Sequence, residues 1–82
     1  MEPWMQKLIS DIRDAVGDDK AAHYETVILP NIVMDFYGML QKSKSGEIVS
    51  EEYQMEDKSM KVMLKGIKDS KGKLKVTTAE IL

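Results

Sequence analysis

Met60-Lys61-Val62-Met63-Leu64-Lys65-Gly66-Ile67-Lys68-Asp69-Ser70-Lys71-Gly72-Lys73-Leu74-Lys75-Val76-Thr77 is the stretch whose periodicity decides the fold. Met60, Val62 and Leu64 alternate with Lys61, Met63 and Lys65, and Leu74 and Val76 alternate with Lys73, Lys75 and Thr77. A period of two marks a strand with one buried face. Asp69-Ser70-Lys71-Gly72, between the two runs, is made of turn formers, so the stretch reads as a β-hairpin. A helix competes with it. Tyr53, Met60, Met63, Leu64 and Ile67 also share a helical face, with Glu51 and Glu52 at the start and Lys65 and Lys68 at the end, as a helix dipole favours. Gly66 and the β-branched residues weigh against that helix, and the hairpin is preferred.

Upstream of the hairpin, Glu47 to Gln54 offers a third strand with Val49 and Tyr53 on one face. Gln41 to Gly46 is a loop by composition. The first 40 residues read as helical. Trp4, Leu8, Ile9, Ile12, Ala15 and Val16 keep the spacing of one helical face; Glu2 and Pro3 suit its first turn, and Gly17 suits its C-cap. A second helix follows, capped by Asp18 or Asp19, with Ala21, Tyr24, Val27, Ile28, Ile32, Phe36, Tyr37 and Leu40 in period. Pro30 interrupts it, lacking an N–H and crowding the preceding turn, which predicts a kinked helix or two helices parting near Leu29-Pro30. Extended structure at Thr26 to Leu29 and Ile32 to Phe36 is the lesser alternative. Downstream of the hairpin, Thr77 and Glu80 match a capping box with only Ile81 and Leu82 after it. That match is either accidental or marks an element that docks on a partner.

The expected fold is therefore α+β: two N-terminal helical segments, the second kinked at Pro30, packed on a C-terminal two- or three-stranded antiparallel sheet. Residues 1–82 make a single small globular domain. A chain this short buries only about 60–65% of the surface its unfolded form exposes, so the core is thin and a partner that covers apolar surface would help.

The 82 residues include no cysteine, which excludes disulfides, thiolate metal sites and thiol nucleophiles. That absence favours a reducing compartment, and the expected location is the cytoplasm. The beginning, Met1-Glu2-Pro3-Trp4, does not read as a signal sequence, and no apolar run is long enough to span a membrane. The first helix is not basic enough for a membrane surface, since Asp11 and Asp14 balance Lys7 and Arg13.

Charge is unevenly placed. Residues 1–40 carry three cations (Lys7, Arg13, Lys20) and seven anions (Glu2, Asp11, Asp14, Asp18, Asp19, Glu25, Asp35). Residues 58–75 carry seven lysines (Lys58, Lys61, Lys65, Lys68, Lys71, Lys73, Lys75) and one acid, Asp69. A positive ribbon of this kind can touch phosphates or an acidic protein. Lysines also serve simply to keep strand edges soluble. Arg13 is the only arginine and no aromatic residue interleaves with the lysines, so bidentate base recognition and base stacking lack their usual groups.

Catalytic constellations are sparse. His23, the only histidine, stands four residues after Asp19, which makes a metal-pair spacing but not a metal site. None of the serines sits in a nucleophile motif, and no Gly-rich phosphate loop occurs. The acidic cluster Glu51, Glu52, Glu56 and Asp57 lacks the spacing of a calcium loop. An enzyme would need a pocket around His23 with carboxylates converging on it. No cofactor, metal or small-molecule substrate is expected, and the chain is not expected to be an enzyme.

Seven methionines suit an adaptable core or binding surface. Trp4, with Met1 and Met5 beside it, could anchor a partner. The expected function is thus a small non-catalytic protein-interaction module, homodimeric or bound to another protein, acting as an accessory or regulatory protein. Trp4, Met5, Leu8, Ile81 and Leu82 are its expected interface. The alternative is a nucleic-acid-binding accessory protein using the hairpin at 58–75 through Lys61, Lys65, Lys68, Lys71, Lys73 and Lys75.

Overall fold

Among the described residues four helical stretches are followed by three strands. In the computed structural model, which describes residues 2–56 and 60–82, they are α1 (Pro3–Val16), α2 (Asp18–His23), a π-helical turn (Tyr24–Ile28), α3 (Leu29–Lys42), β1 (Val49–Gln54), β2 (Lys61–Lys68) and β3 (Leu74–Ile81). Met1, Asp57, Lys58 and Ser59, which figure in the anchor, the acidic cluster, the lysine run and the serines above, lie outside the described residues.

Helix α1 starts with Pro3, whose fixed φ and missing N–H suit the first turn. It buries Leu8, Ile9 and Ile12 and half-buries Trp4, Met5 and Val16, whereas Ala15, expected on the same face, is exposed. Gly17 ends it at φ +88°, donating its N–H to the Arg13 carbonyl at 2.8 Å. A positive φ is cheap only for glycine, so this residue lets the chain turn directly into α2. Asp18 and Asp19 stand in the first turn of α2 and neither caps it. The Asp18 carboxylate lies 3.3 Å from the Arg13 guanidinium instead.

The chain stays helical through Pro30, and the expected kink takes the form of the π-helical turn just before it. The Leu29 N–H reaches back five residues to the Tyr24 carbonyl. A proline ring collides with the carbonyl four residues before it, and a wide turn there relieves the crowding. Side chains serve carbonyls of this region: Thr26 Oγ1 donates to the Ala22 carbonyl at 2.9 Å and Asn31 Nδ2 to that of Val27 at 3.1 Å. The extra residue of the wide turn also shifts the buried face. Val27, expected inside, is exposed, while Leu29, outside the expected set, is buried with Ile32, Phe36 and Leu40.

The 60–77 stretch is a β-hairpin and not a helix. The sheet has the order β1-β2-β3, antiparallel throughout. Asp69 builds the β2–β3 turn: its carboxylate accepts the N–H groups of Lys71 at 2.9 Å and Lys73 at 2.8 Å. These bonds, that from Lys73 above all, hold its carboxyl below the usual carboxylate range, with help from the nearby ammonium of Lys75. Strand β3 runs on to Ile81, so the Thr77/Glu80 capping-box match is accidental; Thr77 Oγ1 donates to the Lys65 carbonyl instead.

One irregularity fixes which residues face the helices. Gly66 pairs with Val76 and Lys65 with Thr78, leaving Thr77 as an extra residue in β3. Such a bulge puts Val76 and Ala79, three apart, on the same face, and both pack against the core. Gly66 opposite is where α3 comes closest. A Cβ there would lie 2.5 Å from the Lys75 carbonyl and 3.2 Å from both Leu40 Cδ1 and Phe36 Cε2.

Helices α1 and α3 lie on one side of the sheet. One apolar cluster joins Leu8, Ile12, Phe36, Leu40, Val62 and Leu64 and includes Met55 and Met60 from the β1–β2 connection. Among the described residues no buried side-chain N or O lacks a hydrogen-bond partner, as a settled core requires.

Candidate interaction surface

Among the described residues no helix lies over the other side of the sheet. Along β2, Val62, Leu64 and Gly66 are buried while Met63, Lys65 and Ile67 between them are half-exposed. Met63 and Ile67 do not join the residues packed against the core. On β1, Val49 and Tyr53 pack inward, which turns Ser50, Glu52 and Gln54 outward. On β3 the outward residues are Lys75, Thr77, Thr78 and Glu80.

Register orders this face in rows across the strands. Glu52, Met63 and Glu80 form one row, and Ser50, Lys65 and Thr78 the next. Gln54 and Lys61 lie at one end of the face, Ile67 and Lys75 at the other. Ile48 directly precedes β1 and is 72% exposed, so the Ile67 end carries apolar surface beside Lys75.

The lysines of the hairpin do not form one ribbon. Lys68 shares the parity of Val62 and Leu64; its Nζ reaches from the covered face to the Gln41 carbonyl at 2.8 Å, where a cation suits a helix C-terminus. Lys75 lies 3.7 Å from the Asp69 carboxylate. Lys61, Lys71 and Lys73 are exposed and Lys65 is half-exposed. The carboxylates of Glu52 and Glu80 stand in the row between Lys61 and Lys65. The open face therefore carries both signs of charge around Met63 and Ile67.

The expected interface at the amino and carboxyl ends is largely used internally. Leu8 is 1% exposed and belongs to the core, so it offers a partner nothing. Trp4, Met5 and Ile81 are half-buried against that core. The Trp4 indole N–H donates to the Glu2 carboxylate. Glu2 also touches Tyr37, whose hydroxyl pKa is raised by burial first and then by that carboxylate. Leu82 is 57% exposed; its N–H bonds the Lys61 carbonyl at 2.9 Å, which extends the β3 pairing by one residue.

Sheet and helices are also joined by a polar bond. Tyr53 Oη donates to Asp35 Oδ2 at 2.7 Å and lies 3.8 Å from Met39 Sδ. Burial, then the Asp35 carboxylate, pushes the Tyr53 phenol well above its ordinary pKa.

His23 is not isolated. Its Nε2 lies 3.1 Å from Glu56 Oε2, and both side chains are about half-exposed, at 48% and 60%. Asp19, Lys20 and Tyr24 complete an open groove of about 590 Å³ around that pair. The groove places one imidazole and two carboxylates together, with the Glu56 carboxylate in hydrogen-bond reach of the imidazole. Among the described residues no three His, Asp or Glu side chains cluster so as to hold a metal ion, and no helix is long and apolar enough to cross a membrane.

Sequence reading missed Ile48, Ile67, Met63, Glu52 and Glu80 as surface residues of interest. A signal was present in β2: an outward position that only met water would be polar, yet Met63 and Ile67 take two of them. Comparison with protein families, with characterised proteins and with solved structures found no match, so function has to be read from this surface.

Proposed function

We propose that the chain is a small non-catalytic interaction module that docks a protein on the uncovered face of its sheet. One observation carries the proposal: Met63, Ile67 and Ile48 expose apolar surface on a face that also holds Glu52, Glu80, Lys61 and Lys65. Exposed apolar side chains rimmed by charge are the anatomy of a protein interface. An accessory or regulatory role in a reducing compartment such as the cytoplasm fits a cysteine-free chain of this size.

A second reading keeps the lysines for nucleic acid, through Lys61, Lys65, Lys71, Lys73 and Lys75. It is the weaker of the two because two carboxylates interrupt that surface and Lys68 is engaged elsewhere.

A photo-crosslinking residue at position 63, with position 34 as control, separates them. Met34 is 74% exposed on α3 and so reports accidental collisions. Illumination in an extract of the native host should attach protein to the chain from position 63 and not from position 34. A nuclease-sensitive adduct from position 63 supports the nucleic-acid reading. Equal capture from both positions, or none from position 63, overturns docking on this face.

A further inference from the structure

We infer that the open sheet face is an interface with a second copy of this chain, about a two-fold axis that runs across the strands between the Met63 row and the Lys65 row. The inference rests on the docking function proposed above and names its partner. Its basis is the distribution of charge on the face.

Two copies of a sheet packed face to face with their strands aligned are related by a two-fold axis that runs along the strands or across them. With the axis along β2, each row meets itself and β1 lies over β3. Glu52 of one copy then faces Glu80 of the other, and Lys65 faces Lys65. Every central charge opposes its own sign, which costs stability. With the axis across the strands, the rows exchange. Lys65 of one copy then lies over Met63 of the other, with Glu52 and Glu80 on either side, and the relation holds reciprocally.

Neighbouring strands are about 4.8 Å apart, so a lysine above Met63 has both carboxylates within reach. Its methylene stem covers the methionine while the ammonium sits between the acids. The end rows exchange as well, bringing the stem of Lys61 over Ile67. Packed sheets cross at about 30°, which displaces these central pairs little because they lie near the axis.

Among the described residues none of these groups forms an ion pair within its own chain, although Glu80 lies near enough to the Lys7 ammonium to help Asp11 raise its pKa. The ion pairs among the described residues are Lys7–Asp11, Arg13–Asp18, His23–Glu56 and Lys75–Asp69, and none uses Glu52, Glu80, Lys61 or Lys65. Size sets the strength. Three strands of this length project roughly 350 Å², under half of the about 800 Å² per partner of a standard interface. The complex is therefore weak and depends on concentration.

Analytical ultracentrifugation of the purified chain from micromolar to millimolar concentration, at low and high salt, tests this. The wild type should self-associate and salt should weaken the complex. K65E alone, and the double variant E52K/E80K, should each weaken it about tenfold or more, about 1.4 kcal/mol. The triple variant E52K/E80K/K65E reverses every central charge and should restore association. Circular dichroism confirms that each variant is folded. Association that ignores K65E, a folded triple variant that stays dissociated, or association that salt strengthens overturns the inference. A wild type that stays monomeric at millimolar concentration but is still captured by another protein from position 63 overturns the self-interface and leaves docking on this face intact.

Discussion

The two faces of β2 obey opposite rules. On the covered face, Val62 and Leu64 are buried in the core and Gly66 meets Leu40 and Phe36 of α3, where the fit leaves no space for one further carbon. On the open face, Met63, Lys65 and Ile67 are half-exposed, and among the described residues Met63 and Ile67 do not pack against the core. A chain of 82 residues has little apolar surface to spare. It places the small and the fitted residues where the fold depends on them. The apolar residues left outside are more than solubility requires. The contrast shows that one face of the sheet holds the structure together while the other is left open, and substitutions on the two faces should differ accordingly.

The largest effect is expected at Gly66. Ala at this position puts a methyl 2.5 Å from the Lys75 carbonyl, inside the β2–β3 pairing, with Leu40 and Phe36 closing the other sides. Backbone has to move, and overpacking of this kind costs about 3 kcal/mol. That is a large part of the stability of so small a domain. Urea unfolding should show a midpoint lowered to match. A Gly66→Ala variant as stable as the parent would mean that α3 does not sit tightly on the sheet, and the distinction between the faces would fail.

A middle effect is expected at Tyr53, at the edge of the covered face. Tyr53→Phe removes the bond to Asp35 and should cost about 1 kcal/mol. It should also change the pH dependence. Because the folded phenol titrates above its ordinary value, folding favours the protonated form. Its stabilisation is complete below the unfolded pKa of about 10 and is lost as pH rises from there towards the folded value. Stability measured against pH should therefore fall above about 10, beyond what other tyrosines and lysines cause, and the fall should be smaller in Tyr53→Phe. An identical alkaline profile would show that the Asp35 bond contributes nothing.

Much of this fold was legible in the residues. The alternation of Met60, Val62 and Leu64 gave the hairpin, Val49 and Tyr53 gave the third strand, and the helical spacing from Trp4 to Leu40 gave the helices. What escaped depends on contacts distant in sequence or on a change of phase. Val27 and Leu29 exchanged places because a π-helical turn absorbs the strain of Pro30, and periodicity alone does not register an added residue. Val76 and Ala79 share a face only through the bulge opposite Gly66. Gly66 counted as a helix breaker, and its closeness to Phe36 is a tertiary fact. The site was legible as a type of surface. The hairpin lysines read as one ribbon that includes Lys68, although its parity with Val62 and Leu64 sets it on the covered face. The charge rows that set Lys65 beside Glu52 and Glu80 needed the pairing register.

The smallest effect is expected at Ile67, and it is the most direct probe of the open face. Thr keeps the β-branch that strands favour and removes apolar surface from a position that packs on no other layer. Thermal unfolding of Ile67→Thr, at a concentration where the chain is monomeric, should stay within about 0.5 kcal/mol of the parent, as surface changes usually do. At high concentration the same substitution removes the apolar surface that the Lys61 stem of a second copy would cover, so association should weaken while the fold does not. That separation distinguishes a surface kept for a partner from a core residue that happens to be half-exposed. If Ile67→Thr instead costs the monomer about 2 kcal/mol, the size of a buried large-to-small change, then Ile67 supports its own chain, and the open face is less free than its exposure suggests.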